Sequence, residues 1–218
     1  MNKSHLIAAL ATTLVVGAAD AGIIQTGSGL MSTRPGVCTV NFNANNAANT
    51  CGAVYTETAG GAAAAAHFPS NSIPGVAAQP AGDPTPFFTV GPSAGTSVTI
   101  TLATAANYFG FYAGSLDTYN LVQFFLNGVQ VDQFTGSQIN AVAFPGQPTN
   151  GDQADAMFIE YFPSSLYNSI IYSSTADAFE TDNHAFGLAS PNVVPEPESV
   201  ALLALGALGL GMARRRRK

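Results

Sequence analysis

Residues 119–134 leave little choice of local structure. They read YNLVQFFL, then NG, then VQVDQF. Asn-Gly between two β-rich runs is the strongest short hairpin signal, because both turn residues take positive φ. Val129 and Val131 then share one face, with Gln130 and Asp132 on the other. Upstream, SVTITL at 97–102 alternates without a break and puts Val98, Ile100 and Leu102 on one side. Residues 108–112 are aromatic, and Gly110 among them admits a close neighbouring backbone. Further strands are predicted at 37–42, 53–58, 154–162 and 169–173, and 178–188 forms a last Phe-bracketed stretch. Five prolines between 69 and 86 mark a long loop. The alanines at 62–66 support one or two helical turns, too few to stand alone. Short strands separated by turn signals predict an all-β fold, an antiparallel β-sandwich of jelly-roll type with long loops.

Charge divides the chain. Five of its seven Lys and Arg are the final residues Arg214, Arg215, Arg216, Arg217 and Lys218, while 13 acids lie between Asp20 and Glu198. A body so poor in cations is no nucleic-acid partner, since binding a polyphosphate needs a basic face to displace counterions. Residues 1–21 have a positive start, an apolar run and Ala19-Asp20-Ala21, which is the pattern of a secretory signal cut after Ala21. The expected organisation is a signal peptide at 1–21, a sandwich at 22–190, a linker at 191–198, a short hydrophobic helix at 199–213 and a basic cytoplasmic tail at 214–218. Cys38 and Cys51 are the two cysteines, and in an exported domain they are expected to form a disulfide. They do not make a zinc site with His67, whose spacing is wrong for one.

Few motifs carry chemistry. Gly91-Pro92-Ser93-Ala94-Gly95 matches G-x-S-x-G, and Asp117 and His184 follow in triad order. That motif requires a strand before the serine and a helix after it. Here a proline-rich loop precedes and an alternating strand follows, so a plain turn is the reading and no enzyme is expected. Asp117, Tyr119 and Asn120 lie on a loop between two aromatic strands. Asp and Asn there are first of all turn residues. The ligands such a loop would take are Ca²⁺ or a sugar hydroxyl, with Tyr112 or Tyr119 as a stacking surface. Asp152 and Asp155 in NGDQAD resemble part of a calcium loop, without the acid that closes an EF-hand. Calcium is thus the one cofactor these residues suggest, and no metal site is assigned.

The C-terminal end is specific. Pro195-Glu196-Pro197 leads into an apolar segment and then the basic run. The apolar stretch 200–212 would make a helix of about 20 Å against a hydrocarbon core of about 30 Å, short for a permanent anchor. The positive-inside rule leaves the basic tail in the cytoplasm and the acidic body outside. These three parts, in this order, resemble the PEP-CTERM sorting signal of Gram-negative bacteria. The resemblance implies recognition by an exosortase at Pro195, Glu196 and Pro197, with 214–218 as stop-transfer and the inner membrane as a transient stage. It also implies delivery to the cell surface or the extracellular polymer matrix. YFGFYAGSLDTYN at 108–120 is similar to a stretch in a group of exosortase-dependent surface proteins whose bodies are β-sandwiches of unassigned role. The expected role is structural or adhesive, with a lectin-like module binding extracellular polysaccharide as the alternative.

Overall fold

The computed structural model describes residues 22–58, 60–114, 116–147 and 156–192. The signal peptide expected at 1–21, Asp152, Asp155, the Pro195-Glu196-Pro197 motif, the hydrophobic helix expected at 199–213 and the basic run lie outside the described residues. The strands are β1 (Ile23–Gly27), β2 (Val37–Val40), β3 (Ala53–Glu57), β4 (Phe88–Val90), β5 (Ser97–Ala106), β6 (Tyr108–Ala113), β7 (Asn120–Leu126), β8 (Val129–Thr135), β9 (Met157–Phe162), β10 (Tyr167–Ser174) and β11 (Phe179–Gly187). One helix, α1 (Gly136–Ala143), follows β8.

Two antiparallel sheets result. The first runs β1-β9-β6-β11-β2, with β4 also paired to β11, and the second runs β3-β5-β10-β7-β8. From β2 onward every connection passes from one sheet to the other except the β7–β8 hairpin, which is the wiring of a jelly-roll-like sandwich. That hairpin turns at Asn127 (φ 51°) and Gly128 (φ 83°), the two positive values the Asn-Gly pair foretells. On β5, Val98, Ile100 and Leu102 enter the core while Thr101 stays exposed. The alternation at 97–102 continues as strand to Ala106.

The space between the sheets is filled largely by aromatic rings. Phe88 packs against Phe42, Tyr55, Phe68, Tyr172 and His184 with centroids 5.2–5.8 Å apart. Separations in this range suit edge-to-face and offset contacts. The first sheet is covered on its outer face as well. Phe109, Phe111 and Ala113 of β6 face the inter-sheet core, and Tyr108 and Tyr112 join Phe158, Phe162 and Ala185 in a second cluster. The proline-rich segment 69–86 lies as a strap over part of this outer face. Tyr112 donates to the Ala81 carbonyl (2.7 Å), and the Ala78 amide donates to Glu180 of β11 (2.7 Å).

Three elements escaped the sequence pattern: β1, β4 and α1. The alanine run yields a single 3₁₀ turn at Ala65–His67. The disulfide is present, with Cys38 and Cys51 Cα atoms 5.6 Å apart. Cys38 lies on β2 and Cys51 just before β3, so the bond staples an edge of one sheet to an edge of the other. A Cys38→Ser/Cys51→Ser variant is expected to lose about 3 kcal/mol in urea denaturation, the chain-entropy value for a short loop. An unchanged midpoint would contradict a stabilising role.

One cation organises the sandwich's N- and C-terminal flanks. Arg34 donates to both carboxylate oxygens of Glu160 on β9 (2.7 and 2.6 Å), to the Ser190 carbonyl (2.7 Å), to Asn192 Oδ1 (3.1 Å) and to Gln25 Oε1 (3.1 Å). Its guanidinium also sits 5.2 Å from the Phe162 ring centroid. The segment after β11 is therefore latched onto β1 and β9.

Candidate functional site

The loop between β6 and β7 is built by its own side chains. The Asp117 amide donates to Asn120 Oδ1 (2.6 Å), the Asn120 amide donates to the Asp117 carbonyl (3.1 Å), and Asn120 Nδ2 donates to Ser174 Oγ on β10 (3.2 Å). Asn120 is thus committed to shaping the turn. A Cβ on Gly136 would come within 2.2 Å of the Asp117 carbonyl, so the start of α1 can pack on this loop only as glycine.

Tyr119 points its hydroxyl at the Asp177 carbonyl (3.4 Å). Burial first, and the Asp117 carboxylate second, push its pKa up to about 12. Asp177 in turn accepts from the Ser93 amide (3.0 Å) and the Ser93 hydroxyl (2.6 Å). Glu180, the second residue of β11, accepts the Ala78 amide through Oε1 (2.7 Å), and its Oε2 has no hydrogen-bond partner among the described residues. Burial pushes the Glu180 carboxyl up to about 7, and the charges of Asp117 and Asp177 add to the shift. Between these side chains and residues 72–78 of the strap lies a cavity of about 240 Å³. The structure thus joins Asp117 and Tyr119, singled out in the sequence, to Asp177 and Glu180, which were not.

The serine motif assembles no triad. Gly91 and Gly95 close a tight turn on each other (2.9 and 2.8 Å), and β5 follows where a helix would be needed. His184 is fully buried, with Nδ1 3.0 Å from the Tyr55 hydroxyl and Nε2 2.8 Å from Thr181 Oγ1. Burial lowers its pKa to about 3, so the ring is neutral and each nitrogen meets a hydroxyl. His67 is buried too, with Nδ1 2.6 Å from the Thr89 carbonyl.

A second acidic pair joins the strap, through Asp83, to Asp182 of β11. Thr85 Oγ1 is 2.6 Å from Asp83 Oδ1 and 3.0 Å from Asp182 Oδ2, and Asn183 donates to both acids, through its amide to Asp182 (2.6 Å) and through Nδ2 to Asp83 (3.1 Å). Burial, reinforced by Asp83, holds the Asp182 carboxyl up at about 7. Among the described residues, no group of three or more His, Cys, Asp or Glu is placed to hold a metal ion.

No curated protein sequence matches this chain. Among solved structures, the catalytic domain of a GH87 alpha-1,3-glucanase in complex with tetrasaccharides aligns at 16% identity and a TM-score of 0.34. The same domain in complex with nigerose aligns at 17% identity and 0.31. Each alignment covers 68% of this chain and 30% of the glucanase chain, so the chain spans under a third of that length. A likeness at this level carries no argument about activity. The C-terminal end gives a definite match: residues 193–218 fit the family of the PEP-CTERM protein-sorting motif. The chain carries a PEP-CTERM sorting signal, the mark of an exported protein that an exosortase recognises.

Proposed function

We propose that this protein is displayed at the surface or in the extracellular matrix of a Gram-negative bacterium, where its sandwich has a structural or adhesive role without turnover. The observation that carries the reading is the sorting signal at 193–218 behind a β-sandwich body. Pro195-Glu196-Pro197 is the recognition element, the apolar run is a temporary tether, and 214–218 keep its far end in the cytoplasm until processing. The disulfide and the small share of charged residues, 9%, suit an oxidising, extracellular setting.

Mass spectrometry of the protein recovered from its host tests this directly. The mature form is expected to lack the Arg214–Arg217 run and Lys218, and deletion of the host's exosortase is expected to restore them. A mature surface protein that retains Lys218 would overturn the reading.

A further inference from the structure

We infer that, while the C-terminal tether holds, the uncharged end of the sandwich rests on the phospholipid surface of the inner membrane. This deepens the function proposed above and rests on its tether.

The two ends of the sandwich differ in charge. At one end lie the connections at 107, 127–128 and 163–166 and the segment 188–190. They read N, NG, PSSL and LAS, without a charged residue. At the other end gather Glu57, Asp83, Asp117, Asp177, Glu180 and Asp182. The uncharged end is also the apolar one. Ile23, Val129, Leu166 and Leu188 stand there at 48%, 67%, 46% and 62% exposure. One hydrophobic residue in water needs no explanation, but several on adjoining turns mark an interaction surface. Ile23 pairs with Phe162, which leads through 163–165 to Leu166. Asn168, two residues on, exchanges hydrogen bonds with Asn127 of the hairpin turn beside Val129 (3.0 and 2.9 Å). Asn107 donates its amide to the Gly187 carbonyl (3.1 Å) and accepts the Ala189 amide through Oδ1 (2.9 Å), which fixes the backbone on both sides of Leu188. These polar groups bond one another, so little polarity must be stripped of water when this end meets lipid.

The point at which the chain leaves the sandwich selects the occupant. Asn192 donates its amide to Gln25 Oε1 (3.0 Å), two residues from the Ile23 end of β1. Only 193–198 separate it from the apolar run, and six residues reach about 20 Å at full extension. β5, with ten residues, gives the sandwich a length of about 33 Å. Turning the acidic end to the membrane would hold Asn192 roughly 25 Å above it, beyond that reach. It would also press the acids against a surface that anionic lipids make negative. With the uncharged end down, the tether reaches, the acids face away and the four apolar side chains meet the headgroup boundary, where such groups are buried.

Fluorescence quenching by labelled lipid tests this. The full chain is reconstituted in vesicles of phosphatidylethanolamine with a minority of phosphatidylglycerol, some headgroups carrying a spin label. Ser165→Cys places a fluorophore at the uncharged end and Thr175→Cys at the acidic end; both positions are exposed, and labelling without reductant keeps the native disulfide closed. Quenching is expected at 165 and not at 175. Val129→Asp combined with Leu188→Asp, two exposed positions outside the core, is expected to bring the signal at 165 down to that at 175. Equal quenching at the two positions, stronger quenching at 175, or an unchanged signal in the double variant would overturn docking and leave the tether standing. A chain that does not float with the vesicles would overturn tether and docking together. Shielding of residue 165 in detergent that grows with protein concentration would make a second copy the occupant and overturn the lipid reading.

Discussion

Acidifying the medium from pH 8 to about pH 5 is expected to stabilise this protein. Glu180 and Asp182 both lie on β11 beneath the strap, and burial raises both to about 7 from ordinary values of 4.5 and 3.8. A carboxyl raised in the folded state keeps its proton where the unfolded chain has lost it. Stability is therefore fully present below the unfolded value and declines as pH rises towards 7. His184 acts in the opposite sense: lowered to about 3 from 6.5, it costs stability as pH falls below 6.5. Two carboxyls outweigh one imidazole between about 6.5 and 4.5, Asp182 alone roughly balances it from 4.5 to 3.8, and below that only the histidine remains. The optimum is thus expected near pH 4–5, with a net gain of a few kcal/mol over pH 8 at about 1.4 kcal/mol per pKa unit. Thermal unfolding at pH 4.5, 6 and 8 measures it. The Asp182→Asn and Glu180→Gln variants should each flatten the rise, and a melting temperature that stays level or falls between pH 8 and 5 would refute the account.

The second large effect is expected at Arg34. Its fork meets Glu160 in bidentate fashion, and the two side chains are only 13% and 6% exposed. Replacing Arg34 by Ala leaves that carboxylate with the Tyr108 hydroxyl at 3.2 Å as its remaining partner. Stranding a buried charge in this way typically costs about 3–5 kcal/mol. Arg34→Lys is expected to recover little, because a point charge cannot reproduce the fork. Arg34→Ala combined with Glu160→Gln should recover part of the loss, because the stranded charge is gone. Urea denaturation gives the stability, and limited proteolysis at 188–192 reports release of the latch at Ser190 and Asn192. A single variant within about 1 kcal/mol of wild type would show the pair to be merely superficial.

The parts of the fold that could be read in advance were those with local causes. Asn127-Gly128 names its own turn, and the strict alternation at 97–102 names its own face. β1 had only Ile23-Ile24-Gln25-Thr26-Gly27 to announce it, and it is a strand because β9 lies beside it. The residues of α1, GSQINAVA, include several poor helix formers. The available clue was the Thr135…Gln138 capping box, in which Gln138 Oε1 accepts the Thr135 amide at 2.9 Å. The candidate site divides in the same way. Asp117, Tyr119 and Asn120 are neighbours in sequence, whereas Asp177 and Glu180 reach them from about sixty residues downstream through strand pairing and the turn before β11. Glu180 looked like one more polar residue on a strand, and nothing local shows that a proline-rich strap will bury it.

The position of β11 also bears on when the protein can fold. It is the last strand described, yet it sits inside the first sheet, between β6 and β2, and also holds β4. A chain threaded through a membrane N-terminus first would present β2 and β4 long before their shared partner arrives. That sheet cannot close until residues 179–187 have crossed, and such distant pairings form slowly. The sorting signal begins six residues beyond Gly187, at 193. Completion of the sandwich and arrival of the signal at the membrane are therefore nearly one event in translocation, and an exosortase would meet a domain that has only just become able to finish folding.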